Sequence, residues 1–414
     1  MKSNFLSLTL TLFGLCALAQ NATLSPYSYY GTGQPVSTRT AENNSMGGVI
    51  TYADSTQFSL DNPATLGKLK YVQYRIGANY KSTIQQSPLT SASAATSSLN
   101  YLALSVPTKH VAFSFGLKPK SAVGYRVSTT TQNNDTEYRN SFDGTGGVNS
   151  TFLSFAINPL EGLSLGASVY YNFGYTEKNY IQSATGVQKS TQVYTRSELS
   201  GIHYTFGAHY NRNIFSDYIF QVSATYTPNA SLESINTRII SSISSSGTVD
   251  AQTETNLENL ATTTNKFAAQ TTIGLGFGKP QHWFAGLTYA TSAKGITNPL
   301  ETSTDASFVA ASRFSAGGFY IPKYDSFSSY FSRVVYRVGA RWEHTGLKLK
   351  NQAVEDFGIN FGIGLPMNVL SKVNIGVEIG QLGTTETGLI KENYTNIMLG
   401  FSLSDVWFIK RQYD

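Results

Sequence analysis

Charge is scarce in this chain of 414 residues: Asp, Glu, Lys and Arg together make up 13% of it, where an average soluble domain has about 25%. The net charge of +5 is small and forms no basic block, which excludes the clustered cationic face that nucleic acid requires. Cysteine occurs once, as Cys16, within an amino-terminal stretch laid out as a secretory signal. Lys2 is its positive end, Phe5 to Leu18 its apolar stretch, and Ala17-Leu18-Ala19 the small-residue cleavage site before Gln20. The alternative, a lipoprotein with Cys16 at its new terminus, is disfavoured by the bulk of Leu15. Removal of the signal peptide, residues 1–19, leaves no cysteine and so excludes disulfides and thiolate metal sites. The five histidines show no metal-ligand spacing, and neither a metal nor an organic cofactor is expected. Beyond the signal, no stretch approaches the ~20 apolar residues of a spanning helix.

What the chain has instead is aromatic and small residues: 26 Tyr, 24 Phe, 3 Trp and 36 Gly. Few charges with many aromatics is the reverse of a disordered composition. The strongest pattern is strict period-two alternation. Leu163, Leu165, Ala167, Val169, Tyr171, Phe173 and Tyr175 share one face, opposite Ser164, Gly166, Ser168, Tyr170, Asn172, Gly174 and Thr176. Phe357, Ile359, Phe361, Ile363 and Leu365 likewise oppose Gly358, Asn360, Gly362 and Gly364. Successive side chains of a strand point to opposite faces, so each such run predicts a two-faced strand.

Fourteen segments read this way: 71–83, 98–107, 109–131, 144–157, 161–176, 190–211, 215–231, 264–278, 281–293, 306–321, 330–345, 355–368, 371–382 and 391–405. Short connections alternate with long polar ones, such as 84–97, 132–143, 177–189, 232–263 and 346–354. That asymmetry belongs to outer-membrane barrels, with short periplasmic turns and long external loops. A soluble sandwich also alternates. Against it stand the aromatic ends of the apolar faces, strands longer than the usual five or six residues, and Arg and Asn on the opposite faces. The expected fold is all-β, a 14-stranded antiparallel transmembrane β-barrel spanning 71–414 in the outer membrane of a Gram-negative bacterium.

Residues 20–70 lack alternation but carry Met46, Val49, Ile50, Phe58, Leu60, Leu66 and Leu69. A fourteen-strand barrel is wider than its own side chains can fill, so this segment is expected to be an internal plug. Within it, Gly47-Gly48 followed by Asp61-Asn62-Pro63-Ala64 resembles the amino-terminal hatch of the FadL/TodX outer-membrane transporters of hydrophobic compounds. Ser25-Pro26-Tyr27-Ser28-Tyr29-Tyr30-Gly31 and the ending Trp407-Phe408-Ile409-Lys410-Arg411 resemble the Bacteroidota branch of that family. The resemblance implies fourteen strands, a plug or gate containing Gly47, Gly48, Asn62, Pro63 and Ala64, and a kinked third strand through which ligand leaves into the bilayer. Gly116-Leu117-Lys118-Pro119-Lys120 lies in that strand, and proline cannot donate to a ladder, so Lys118 and Pro119 mark the expected lateral opening. The long connections are polar and lack the apolar loop pair that captures ligand in the transporters.

Arg333, Arg337 and Arg341 recur every four residues, ~13 Å apart along one strand face. They read either as a cationic track for a carboxylate headgroup or as structural ion pairs with Glu343, Glu378 or the plug; buried charges are normally paired. Arg75, Phe58 and Leu60 complete the expected ligand-facing set. Gly162-Leu163-Ser164-Leu165-Gly166 matches a nucleophile elbow, but that motif needs a strand-to-helix turn, and Ser164 sits mid-strand with no residue placed beside it. The expected activity is therefore not enzymatic. It is passive uptake of a hydrophobic or amphipathic small molecule, such as a fatty acid or lipid, with release into outer-membrane lipid. The alternative is a non-transporting barrel that docks another outer-membrane protein in an export or assembly complex.

Overall fold

A computed structural model describes residues 22–414 except 135, 216, 245–247, 256, 258–259, 296–305, 368–369 and 407–414. The expected signal peptide and the ending 407–411 lie outside the described residues.

Fourteen antiparallel strands form the wall. They are β1 (Val72–Gln86), β2 (Ser91–Pro107), β3 (Val111–Asn133), β4 (Thr136–Leu160), β5 (Leu163–Ala184) and β6 (Lys189–Ile214). There follow β7 (Tyr218–Thr227 and Ala230–Ser244), β8 (Val249–Glu254, Thr262–Phe267 and Gln270–Lys279), β9 (Trp283–Ser292) and β10 (Ala306–Phe308 and Ala311–Tyr320). The last four are β11 (Val335–Leu349), β12 (Gln352–Pro366), β13 (Lys372–Leu382) and β14 (Lys391–Asp405). Each neighbour in sequence is a neighbour in the sheet, and β14 closes on β1 from Lys391↔Gln86 to Asp405↔Val72. Every predicted strand falls on one of these, and the barrel is closed.

The wall is inside out relative to a soluble sandwich. On β5, Val169, Tyr171 and Phe173 are 38%, 50% and 37% exposed, while Ser164, Ser168 and Asn172 are 0–1% exposed. On β12, Phe361 is exposed and Asn360 is buried. Apolar side chains facing outward and polar ones facing inward suit lipid outside and a polar interior. Tyr218, Phe277 and Trp283 cluster on the outer face near the short turns, with ring centroids 5.4 and 5.8 Å apart along the series.

The expected long loops are mostly strand. β1 and β2 join through a tight turn in which Ser87 N donates to Thr90 O, and only residues 134–135 separate β3 from β4. The ladders of β3–β4, β4–β5 and β5–β6 run through 132–143 and 177–182. Beyond the lipid both faces of a strand meet water, so the hydrophobic alternation stops while the backbone ladder continues.

Candidate functional site

Residues 22–70 lie inside the barrel and touch it all round. Helix α1 (Ala41–Ser45) starts at Thr40, whose hydroxyl caps Asn43 N, and ends before Gly47 and Gly48 at φ 69° and 91°. Those left-handed angles favour glycine. The Asn43 side chain then ties the turn by donating to Val49 O at 2.6 Å. Asn62 caps the 3-10 turn Pro63–Lys68 through Ala64 N, and its amide donates to Ala208 O on β6 at 3.3 Å.

Cross-strand glycine pairs form the seats for this backbone. Gly166 on β5 faces Gly207 on β6 in register; a Cβ on Gly166 would lie 2.5 Å from Ala64 N, and one on Gly207 would collide with Asn62. Gly317 and Gly339 are paired on β10 and β11, where any side chain would meet Met46 and Gly47. Gly362 and Gly376 are paired on β12 and β13 beneath Ser45. Each of these cross-strand glycine pairs admits a particular piece of the inner segment.

Buried ion pairs fasten the segment to the wall. Glu42 lies 3.5 Å from Arg75 and accepts from Ser402 Oγ at 2.7 Å. Burial pushes the Glu42 carboxyl up, but Arg75, Arg337 and Ser402 outweigh it and hold the group at about 2. Arg75 also donates to Thr56 O at 2.8 Å and lies over the Phe58 ring. Asp61 takes Arg39 and Lys118, each at 3.2 Å. Burial opposes its ionisation, and the two cations hold it below the usual carboxylate range.

Arg341 is the hub of a third network: Glu378 and Asp356 at 2.7 Å, Glu343 at 3.3 Å and the Tyr394 hydroxyl at 2.7 Å. Arg337 donates to Asn374 at 3.1 Å. Arg333 leaves the expected row. The chain makes a 3-10 turn at Phe331–Arg333 before β11 begins, and the exposed Arg333 guanidinium sits 5.6 Å from the Tyr330 ring centroid. Phe58 and Leu60 join Leu66, Leu69, Tyr101 and Phe152 in a packed cluster, whereas the cavity wall includes Ile50, Tyr30 and Tyr170 instead.

Above the inner segment is a cavity of about 590 Å³. Asn79, Lys81, Ser98 and Asn100 line it from β1 and β2; Lys118, Pro119 and Lys120 line it from β3; Thr32 to Arg39 cross its edge. The wall changes at this level. β2 and β3 are paired only from Leu102↔Leu117 to Pro107↔Ala112. Beyond Leu117, β3 keeps its ladder with β4, with a bulge between Pro119 and Ser121, while Ser91–Tyr101 of β2 pairs with β1 alone. The missing N–H of Pro119 and the bulge turn β3 away from β2. β4 bends at the same level, at Gly146 and Gly147, φ 113° and 150°. The amino-terminal pair Gln34–Pro35 occupies the freed edge of β3, opposite Ala122 and Ser121.

Ser164 does have a neighbour that the sequence did not reveal, since His209 is its register partner on β6. The Ser164 hydroxyl donates to Asn158 at 2.6 Å rather than to His209, whose Nε2 bonds Thr51 O at 3.1 Å. Both are buried beneath the inner segment. Glu42 and Arg39 were not singled out in the sequence, where isolated charges in a segment without periodicity carry no signal, and Asp61 and Lys120 were noted only as members of their motifs.

The same fold occurs in solved hydrocarbon channels. The Ralstonia pickettii toluene transporter TbuX is 13% identical, over 89% of this chain and 98% of that one, with a TM-score of 0.58. For the Pseudomonas putida toluene transporter TodX the values are 15%, 89%, 99% and 0.57. For a Pseudomonas aeruginosa FadL homologue they are 10%, 89%, 98% and 0.57. The TM-scores show that the chain shares the barrel fold of these structures. No curated protein matches the chain. A family profile described as BamG matches residues 1–414, and the chain belongs to the BamG family.

Proposed function

We propose that this outer-membrane barrel passes a hydrophobic or amphipathic small molecule from the outside into the bilayer through its wall. The observation that supports this reading most is the meeting of cavity and gap: the cavity reaches the wall where the β2–β3 ladder stops, with Asn100 on one side and Lys118 and Pro119 on the other. Residues 22–70 act as the plug, held by the Glu42 and Asp61 ion pairs and the glycine seats, so no straight aqueous path runs along the axis. Gln34–Val36 closes the gap from inside and moves for the ligand to leave. No energy source is required, since the molecule moves down its gradient. The hydrocarbon channels of like fold support the ligand class. Purified protein extracted with organic solvent and analysed by mass spectrometry tests the reading: a lipid-like molecule bound in stoichiometric amount is expected, and it should be lost when the plug is deleted. An empty lumen in protein isolated from its native membrane counts against passage.

A second reading, a barrel that docks another outer-membrane protein, is favoured by the chemistry of the lumen. Arg75, Arg337 and Arg341 are spent on Glu42, Asn374 and a carboxylate cluster, and the cavity lining is rich in Ser, Thr and Asn. Co-purification of a stoichiometric protein with an empty lumen distinguishes this reading from the first.

A further inference from the structure

The bulge on β3 sets the direction of one lysine. Pro119 pairs with Asn149 and Ser121 with Val148, so Lys120 between them has no register partner on β4. Bulges re-aim side chains, and here two successive ones turn inward. Ser121 Oγ donates to Thr32 O at 2.7 Å, and Lys120 Nζ lies 4.7 Å from the centroid of the Phe267 ring on β8. Lys118 also points inward and binds Asp61, which it shares with Arg39. Among the described residues no carboxylate pairs with Lys120. Arg39, Lys118 and Lys120 thus meet the single carboxylate of Asp61 on this wall of the cavity. Across the barrel the balance is reversed: Arg341 is surrounded by Glu343, Asp356 and Glu378. An anion in the cavity is therefore drawn to the β3 side, where an ammonium in a site shielded from water attracts it strongly.

A hydrogen-bond chain fixes the tautomer of a histidine on the same wall. Ser150 Oγ donates to Asn172 Oδ1 at 2.7 Å, and the Asn172 amide donates to Gly201 O at 3.2 Å and to His203 Nδ1 at 2.8 Å. The Gly201 carbonyl decides which end of the amide is the donor, so His203 Nδ1 accepts and the ring proton is on Nε2. His203 lines the cavity while 8% exposed, and among the described residues nothing accepts from its Nε2–H. The ring stacks on Tyr170 with centroids 4.4 Å apart, and Lys118 Nζ lies 5.0 Å from the same Tyr170 ring. Asn265, two residues before Phe267 on β8, is 3% exposed, and neither atom of its amide has a partner among the described residues. Unmet buried donors are costly, and these gather beside the uncompensated lysine. We infer that this wall is a subsite for an anionic headgroup, with the Lys120 ammonium and His203 Nε2–H as its donors, so the cavity takes an amphiphile ending in a carboxylate or phosphate rather than a neutral hydrocarbon. The inference rests on the passage reading and names its ligand class. Lys120 also sits where β2 and β3 part, which leaves the apolar tail of a molecule held there beside the gap. The cavity of about 590 Å³ is within the roughly 300–1,000 Å³ of small-molecule sites.

The test titrates full-length protein in amphipol with dodecanoate, dodecyl phosphate and dodecanol, read by native mass spectrometry. A single dodecanoate or dodecyl phosphate per barrel is expected, held about tenfold more tightly than dodecanol. Lys120→Met should remove that preference and Lys120→Arg should keep it, with the barrel SDS-resistant in both. His203→Phe, which preserves the stack on Tyr170, should weaken the two anions about threefold and leave dodecanol unchanged. Dodecanol bound as tightly as the anions overturns the subsite and leaves passage of a hydrophobic molecule standing, and so does an anion preference that survives Lys120→Met. Inorganic phosphate bound as tightly as dodecyl phosphate also overturns it, because the site would then serve a free anion. Anions held through Lys120 without transfer into the bilayer of reconstituted vesicles would support the subsite and count against passage.

Discussion

Glu42 of the inner helix and Arg75 of β1 face each other at 3.5 Å with side chains 3% and 1% exposed, so the inner segment is fastened to the wall by a charge pair that water barely reaches. The Glu42 carboxyl is depressed from 4.5 to about 2. A group depressed in the folded state stabilises fully above its unfolded value and loses that contribution as pH falls through its folded one. The attachment should therefore hold above about pH 4.5 and weaken toward pH 2, a change on the order of 3 kcal/mol. Limited proteolysis in detergent checks it: cleavage within residues 22–70 should rise over that window while the barrel stays SDS-resistant. Glu42→Gln should raise cleavage at neutral pH as well and flatten the acid response.

The glycine seats make a second prediction. Gly207→Val places a branched side chain where Asn62 sits, and there is no slack there because the space over the paired Gly166 is filled by the Pro63–Ala64 backbone. Since overpacking typically costs about 1–3 kcal/mol, the Asn62–Ala64 turn should leave its seat. Proteolysis at residues 55–70 should increase, with the strand content by circular dichroism unchanged. Thr191→Val on the same strand, beyond the seat, serves as the control and should leave the pattern as in the parent.

The contrast between wall and inner segment explains what the sequence made legible. The strands were visible because lipid and lumen impose opposite chemistry on alternate residues, as with Val169 and Ser168. Their extensions to Gln86, Asn133 and Ala184, beyond the expected ends at 83, 131 and 176, were hidden, because there water meets both faces and alternation carries no information. The kink was legible from one residue, Pro119, whose chemistry is local. The pairings that hold the inner segment were not. Glu42 meets Arg75 and Ser402 across 33 and 360 positions of chain, and only closure of β14 onto β1 brings these together. His209 beside Ser164 was hidden for the same reason: cross-strand register depends on hairpin geometry rather than on composition. The four-residue arginine spacing misled at Arg333 because a turn interrupts the period just before β11.

Arg341 offers a direct test of internal charge balance. It is the shared cation of Glu378, Asp356 and Glu343, so Arg341→Met leaves a buried carboxylate cluster with much less compensation. Removing one partner from a buried network costs about 3–5 kcal/mol. The temperature at which the folded barrel loses SDS resistance should drop markedly. Arg341→Lys should recover only part of the loss, because one ammonium cannot reproduce the forked contacts to two carboxylates and Tyr394. Little change in either variant would mean that water or a neighbouring cation neutralises the cluster.

The seal on the wall gap can be locked chemically. Gln34 and Ala122 are direct partners across the mini-ladder, and opposing residues of antiparallel strands lie about 4.5–5.5 Å apart, within the span of a disulfide. Gln34→Cys with Ala122→Cys should therefore oxidise without distorting the barrel. If the molecule exits where β2 parts from β3, oxidation should slow transfer of a fluorescent alkyl-chain probe from outside into the bilayer of reconstituted vesicles by about tenfold, and a reductant should restore it. A second pair, Val169→Cys with Tyr204→Cys, bridges register partners on the outer face of β5 and β6 away from the gap and the cavity and should leave transfer unchanged in both states. Equal transfer in the oxidised and reduced latch variants would place the exit elsewhere. Arrest by both pairs would point to rigidity of the whole barrel rather than to the Gln34–Val36 segment, so the difference between the two pairs carries the argument.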